Sequence, residues 1–104
     1  MPKEPADEVA EFADRPEQAR FVVTVNGEIA GFATYRLRGD VITFVHTEVA
    51  PAYGGHGLGT RLVVHGLDEA RRRGLRVRPL CPLFAKFIEE HADYQDLLVA
   101  PTAP

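Results

Sequence analysis

Four glycines crowd into the six residues Gly54-Gly55-His56-Gly57-Leu58-Gly59, and what flanks them constrains the fold. Before them runs a β-branched, strand-like stretch from Val41 to Val49. After them, apolar residues recur at helical spacing from Leu58. A strand passing through so permissive a loop into a helix presents backbone N–H groups with no side chains in the way. Those groups and the helix dipole suit a phosphate or pyrophosphate. As a bare connection the loop would be costly, because each glycine loses extra backbone entropy on folding.

The remaining elements follow from period and punctuation. Phe21 to Val25 reads as a strand, Asn26-Gly27 as a two-residue hairpin turn, and Glu28 to Arg38 as its partner. Gly39-Asp40 turns the chain into Val41–Val49, so these three strands form an antiparallel meander. Leu58, Leu62, Val63, Leu67 and Ala70 share one face of the first helix, which Gly74 ends. Leu75 to Leu80 is a fourth strand, parallel to the third because a helix joins them. Pro82 opens a second helix, Leu83 to about His91, with Phe84, Phe87 and Ile88 facing inward. Asp96 to Val99 is expected as an edge strand or docked tail. The pattern predicts an α+β fold, a mixed α/β layer formed by a single domain over residues 20–99. Residues 1–19 are expected to be acidic and loosely ordered, with a short helical turn at Val9 to Phe12. Residues 100–104 are expected to fray.

Charge narrows the ligand. The net charge of −3 conceals six acids in residues 1–19, whereas Tyr53 to Leu80 is net basic through Arg61, Arg71, Arg72, Arg73, Arg76 and Arg78. That cluster suits a small polyphosphate, or simply a solvated helix end. It is too small and interrupted for a nucleic-acid groove. The acidic, proline-containing start is unlike a signal peptide, and no apolar stretch nears the ~20 residues of a membrane helix. The default expectation is a soluble cytoplasmic protein, monomeric or a small homo-oligomer. Cys81 is the single cysteine, so no intramolecular disulfide forms. The four histidines, His46, His56, His65 and His91, make no ligand-like pairing with it, and no metal site is expected.

Two phosphate motifs are excluded. Gly59-Thr60 lacks the lysine of a Walker loop, and Leu62 stands where a dinucleotide fingerprint needs its third glycine. Pro51 to Leu62 instead resembles the acetyl-coenzyme-A motif of the GNAT superfamily of N-acetyltransferases, Arg/Gln-x-x-Gly-x-Gly/Ala. Gly57 and Gly59 take its two small positions, and Gly54 stands where arginine or glutamine is usual. Leu-Arg-Val-Arg-Pro-Leu-Cys-Pro, then Phe87-Ile88 and His91-Ala92-Asp93-Tyr94, is similar to the compact, yjdJ-type single-domain branch. The resemblance covers roughly Arg20 to Leu98.

The resemblance implies an acyl-CoA N-acyltransferase fold that moves an acetyl group from acetyl-CoA to an amine, with protein or small-molecule acceptors both open. A non-catalytic acetyl-CoA-binding sensor or scaffold is the alternative. The pantetheine arm would pair between the splayed strands Val41–Val49 and Leu75–Leu80. Val49 and the residues Gly54, Gly55, His56, Gly57, Leu58, Gly59, Thr60 and Arg61 would hold the cosubstrate, the pyrophosphate lying on the N–H groups of His56 to Thr60. Arg61 or Arg71 to Arg73 would reach the 3′-phosphate. Transfer needs a deprotonated amine, a stabilised oxyanion and a proton for the thiolate. Glu48 is the candidate base, with His46, of the same strand parity, as a relay. Many relatives supply a tyrosine as acid, where this chain has Phe84 and Phe87; Tyr94 lies later. Cys81, just before a helix N-terminus, where thiolate is favoured, is a candidate proton donor or transient acyl carrier.

Overall fold

Turn chemistry and alternation together set the sheet. The computed structural model describes residues 9–99. Its elements are β1 (Ala10–Arg15), β2 (Arg20–Val25), β3 (Glu28–Arg38), β4 (Val41–Val49), α1 (Leu58–Arg72), β5 (Arg76–Pro79) and α2 (Pro82–Glu90). Short 3-10 turns lie at Pro16–Gln18, Pro51–Tyr53 and Ala92–Leu97. The strands form one sheet in chain order, antiparallel from β1 to β4 and parallel between β4 and β5. The mixed α/β layer read from the sequence is therefore the observed one. Among the described residues, no helix is long and apolar enough to cross a membrane.

Local chemistry accounts for the joints. Asn26 and Gly27 both take positive φ, 51° and 87°, as a tight hairpin whose twist matches its strands requires. Gly74, at φ 70°, ends α1. Its N–H donates to the Arg71 carbonyl and that of Leu75 to the Ala70 carbonyl, which closes the last turn as a Schellman motif.

Both helices pack on one face of the sheet. Phe21, Phe44, Leu62, Leu67, Val77, Phe84 and Ile88 are buried there, and side chains of this kind each contribute about 1.5–3 kcal/mol on burial. Phe44 and Phe84 stack with ring centroids 4.0 Å apart. A Cβ on Gly66 would stand 3.1 Å from the Phe44 ring, so the bare glycine lets α1 settle onto β4.

Two expectations are corrected. Residues 10–15 are neither loose nor a helical turn; they form β1, paired with β2 from Ala10↔Val25 to Arg15↔Arg20. Ala10 and Phe12 pack inward while Glu11 points out, an alternation masked by the acids around it. The sheet thus begins before residue 20. Asp14 is tied in as well, accepting from Tyr35 Oη at 2.6 Å and from Arg73 at 2.9 Å. The fourth strand is shorter than Leu75–Leu80, because Leu75 N–H closes the end of α1 and the Leu80 and Cys81 N–H groups both converge on the Phe44 carbonyl. Of the two forms expected for the last segment, the docked tail is the observed one: after the 3-10 turn, Leu98 bridges Val77 and Val99 N–H donates to the Val77 carbonyl. Expectations for residues 1–8 and 100–104 lie outside the described residues.

Candidate active site

The parallel pairing of β4 with β5 ends at Phe44↔Pro79. The Phe44 carbonyl accepts from both Leu80 N–H (3.0 Å) and Cys81 N–H (2.9 Å), and α2 then carries the chain away. β4 continues through Val45–Val49 with no strand on that edge among the described residues. A cleft with Phe44 at its apex results.

A β-bulge shapes its near wall. Thr34 faces His46 while Tyr35 faces Phe44, so Val45 is the extra residue. Before the bulge, Ile42 and Phe44 point to the helices; after it, Thr47 and Val49 do. His46 and Glu48 consequently project from the opposite face, where Phe32 lies 6.3 Å from the His46 ring. His46 Nε2 and Glu48 Oε1 are 3.6 Å apart, and both side chains are more than half exposed (58% and 62%). At that exposure the contact adds little stability, and the carboxylate is open to solvent. Glu48 and Val49 also meet β3 at close range, since a Cβ on Gly31 would lie 2.7 Å from the Glu48 carbonyl oxygen. Gly31 was not singled out from the sequence, where it is one residue of a strand pattern.

Cys81 lies across the sheet from this pair. It is 3% exposed, belongs to the core, and its Sγ is 3.4 Å from Thr47 Oγ1. The structure therefore joins His46 to Glu48 and places Cys81 separately, beneath the apex.

The glycine segment links β4 to α1 as expected. Ala50 N–H donates to the Ala30 carbonyl, and Pro51–Tyr53 form a 3-10 turn. Gly55 and Gly57 take positive φ, 84° and 71°, with open space where a Cβ would stand. Gly57 is the N-cap of α1 and no side chain caps the helix, so the first-turn N–H groups of Leu58, Gly59 and Thr60 have no intrahelical partner. Leu58 is buried and anchors that turn; Gly54, His56 and Thr60 are exposed. α2 approaches closely, with Leu83 Cδ2 3.4 Å from where a Gly59 Cβ would be. Thr60, Leu83, Lys86, Phe87 and Glu90 line a cavity of about 230 Å³ beside the turn. Lys86 escaped the sequence reading, because no local pattern relates α2 to the start of α1.

Several cations and aromatics expected near the ligand are occupied elsewhere. Arg61 lies over the Phe12 ring, 5.2 Å from its centroid, on the β1 side. Arg71 holds Asp96 at 2.8 Å, Arg72 holds Glu69 at 2.7 Å, and Arg73 holds Asp14 at 2.9 Å. All three sit at the far end of α1, about 20 Å from its first turn at 1.5 Å per residue. Tyr94 Oη donates to Asp68 Oδ1 at 2.8 Å, and that bond, with burial, raises its pKa. It fastens the C-terminal turn to α1 rather than facing the cleft. Phe84 is fully buried and Phe87 half-buried, stacked on His91 at 3.8 Å.

Known proteins are similar to this chain in sequence and fold. The family model described as GCN5-related N-acetyl-transferase matches residues 20–97. Streptothricin acetyltransferase of Streptomyces lavendulae is 37% identical over 67 residues, 62% of this chain and 35% of that protein. The ribosomal protein bS18-alanine N-acetyltransferase of Escherichia coli K12 is 38% identical over 55 residues, 53% of this chain and 37% of that protein. The chain thus spans little more than a third of the length of these curated relatives. The NMR structure of a GCN5-like protein from Staphylococcus aureus has the same fold, with a TM-score of 0.66 at 23% identity over 88% of this chain and 90% of that one. With three-quarters of its length matched, splayed strands and glycine turn included, the chain belongs to the GCN5-related N-acetyltransferase family.

Proposed function

We propose that this protein is an acetyl-CoA-dependent N-acetyltransferase. The observation that carries the reading is the cleft between β4 and β5, opening from Phe44 toward the uncapped start of α1. The free edge of Val45–Val49 suits the pantetheine amides, which would add to it as a strand does. The pyrophosphate would lie on the N–H groups of the first turn of α1, with Lys86 and Thr60 beside it for phosphate. Val49 and Gly54 to Thr60 are the binding residues in this reading; Arg61, drawn toward Phe12, is not.

In the reaction the amine nitrogen attacks the thioester carbonyl. A C–N bond forms, the C–S bond breaks, the amine proton leaves, and the thiolate takes up a proton. Glu48, exposed at the cleft's open face, would take the amine proton directly or through water, with His46 3.6 Å away to pass it to solvent. A backbone N–H freed at the Val45 bulge would serve the oxyanion. Cys81, at the apex and bonded to Thr47, is the thiol nearest the leaving sulfur's expected position and would return its proton.

The second reading, a sensor or scaffold that binds acetyl-CoA without turnover, is favoured by Tyr94 being held on Asp68 and Phe84 lying buried. Calorimetric titration of acetyl-CoA and CoA, with Gly57→Glu beside the wild type, tests what both readings share. A side chain at a positive φ and a negative charge at the phosphate position should weaken binding at least about a hundredfold. Unchanged affinity would dismiss the loop as the phosphate site. Release of free thiol that depends on added amine then separates enzyme from sensor.

A further inference from the structure

Three arginines distant in sequence meet on the sheet face opposite the helices. Arg36 of β3, Thr43 of β4 and Arg78 of β5 stand in one row across the strands, and Arg38 follows on β3 opposite Val41. With Leu80 they line a groove of about 340 Å³. All three arginines are exposed, and among the described residues none makes a hydrogen bond or ion pair. Like charges gathered without a counter-charge are unfavourable in themselves, and an anion relieves them. A guanidinium holds a carboxylate or phosphate in a forked, two-bond geometry.

Position gives the groove its use. Thr43 immediately precedes Phe44, the apex of the cleft, and residues along a strand are only about 3.3 Å apart. His46 and Glu48 present on the same face just beyond the bulge. The glycine turn that suits the phosphates of CoA lies past the other end of β4, so the groove is not part of that site. Leu80, 62% exposed, offers an apolar wall at the exit of β5. The volume is at the low end of small-molecule sites, too little to seat a folded partner.

We propose that the acceptor is a small amine bearing its own carboxylate or phosphate. The anionic group lies on Arg36, Arg38 and Arg78, the carbon skeleton lies along Leu80, and the amine points up the strand toward the cleft and Glu48. This deepens the acetyl-transfer reading and rests on it.

Amide NMR of the ¹⁵N-labelled protein saturated with CoA tests the proposal with matched probes: glycine against glycinamide, and phosphoethanolamine against ethanolamine. The anionic member of each pair should move the Thr43, Arg78 and Leu80 signals and bind at least about tenfold more tightly than its neutral counterpart, the effect of a charge-assisted hydrogen bond. Which anion binds better decides between carboxylate and phosphate. The double variant Arg36→Gln/Arg78→Gln should erase the difference within each pair. In the thiol-release assay it should raise KM for an anionic amine far more than it lowers kcat. Equal binding of neutral and anionic probes, no movement at these three residues, or movement caused only by an acidic peptide would overturn the proposal. The response of Gly55 and Gly57 to CoA is read in the same spectra. Silence there would sink the acetyl-transfer reading, whereas silence at the arginines alone would sink only this one.

Discussion

Two sets of three arginines occupy this small domain, and they behave oppositely. Arg71, Arg72 and Arg73 are consecutive in the chain, yet each is tied to a carboxylate, on Asp96, Glu69 and Asp14 respectively. Arg36, Arg38 and Arg78 are scattered over two strands, yet they share one groove with no partner among the described residues. The first set builds the molecule: Arg73 fastens β1 and Arg71 the C-terminal turn to the end of α1, while Arg72 braces the helix itself. The second set is assembled by strand register and contributes nothing visible to holding the chain together. A run of like charges in a sequence is therefore a poor guide to where charge is available. What decides is whether the fold brings acids to it.

The contrast can be broken at its strongest point, Asp14. Replacing it with alanine strips the acceptor from Tyr35 Oη, on a residue only 6% exposed, and the partner from Arg73. A loss of about 2 kcal/mol is expected, read as a lower midpoint in urea unfolding with an unchanged slope. Burial, then the bond to Asp14, pushes the Tyr35 phenol well above its ordinary value, so it stays a donor throughout the neutral range.

Glu69 gives a smaller, pH-dependent effect. The hydrogen bonds from Arg72 hold its carboxyl down at about 2, against 4.5 for a free one. Because the folded value is depressed, its contribution is present above about pH 4.5 and is lost as pH falls toward 2. Its partner Arg72 is largely exposed, so solvent screening keeps the contribution small. Glu69→Gln should flatten the acid limb of a stability–pH profile and leave the neutral value lower. An identical acid limb would show that the pair carries none of it.

The smallest expected change sharpens the other side. Arg36→Gln/Arg78→Gln should alter unfolding stability by less than about 0.5 kcal/mol, or raise it slightly by relieving repulsion. A loss beyond about 1 kcal/mol would mean that these arginines are structural after all, and the contrast between the two sets would fail.

Much of the frame was legible in the sequence because its signals are local. Asn26-Gly27 and Gly39 delimit β3 at Glu28–Arg38 and β4 at Val41–Val49, and glycines bracket α1, so those elements lie where alternation and turns put them. Strand parity alone also put His46 and Glu48 on one face. What escaped depends on pairing between segments. β1 was hidden because Glu11 and Asp14 obscure the inward Ala10 and Phe12, and its justification is β2, which it covers. The depth of Cys81 follows from Thr47 and α2 closing over it. The arginine row, the approach of Lys86 to the first turn of α1 and the service of Gly31 to Glu48 exist only once register and packing are fixed.

Val45 shows how little separates a working arrangement from a scrambled one. It acts as a spacer in a reading frame of two, keeping Thr43 on the arginine side in step with His46 and Glu48 beyond it. Were Val45 instead to pair in plain alternation, with the bulge straightened, His46 and Glu48 would come round to the helices and Thr47 and Val49 would turn outward, burying a carboxylate where an aliphatic side chain belongs. For anyone grafting this domain, the bulge at Val45 therefore has to be carried over together with the strand.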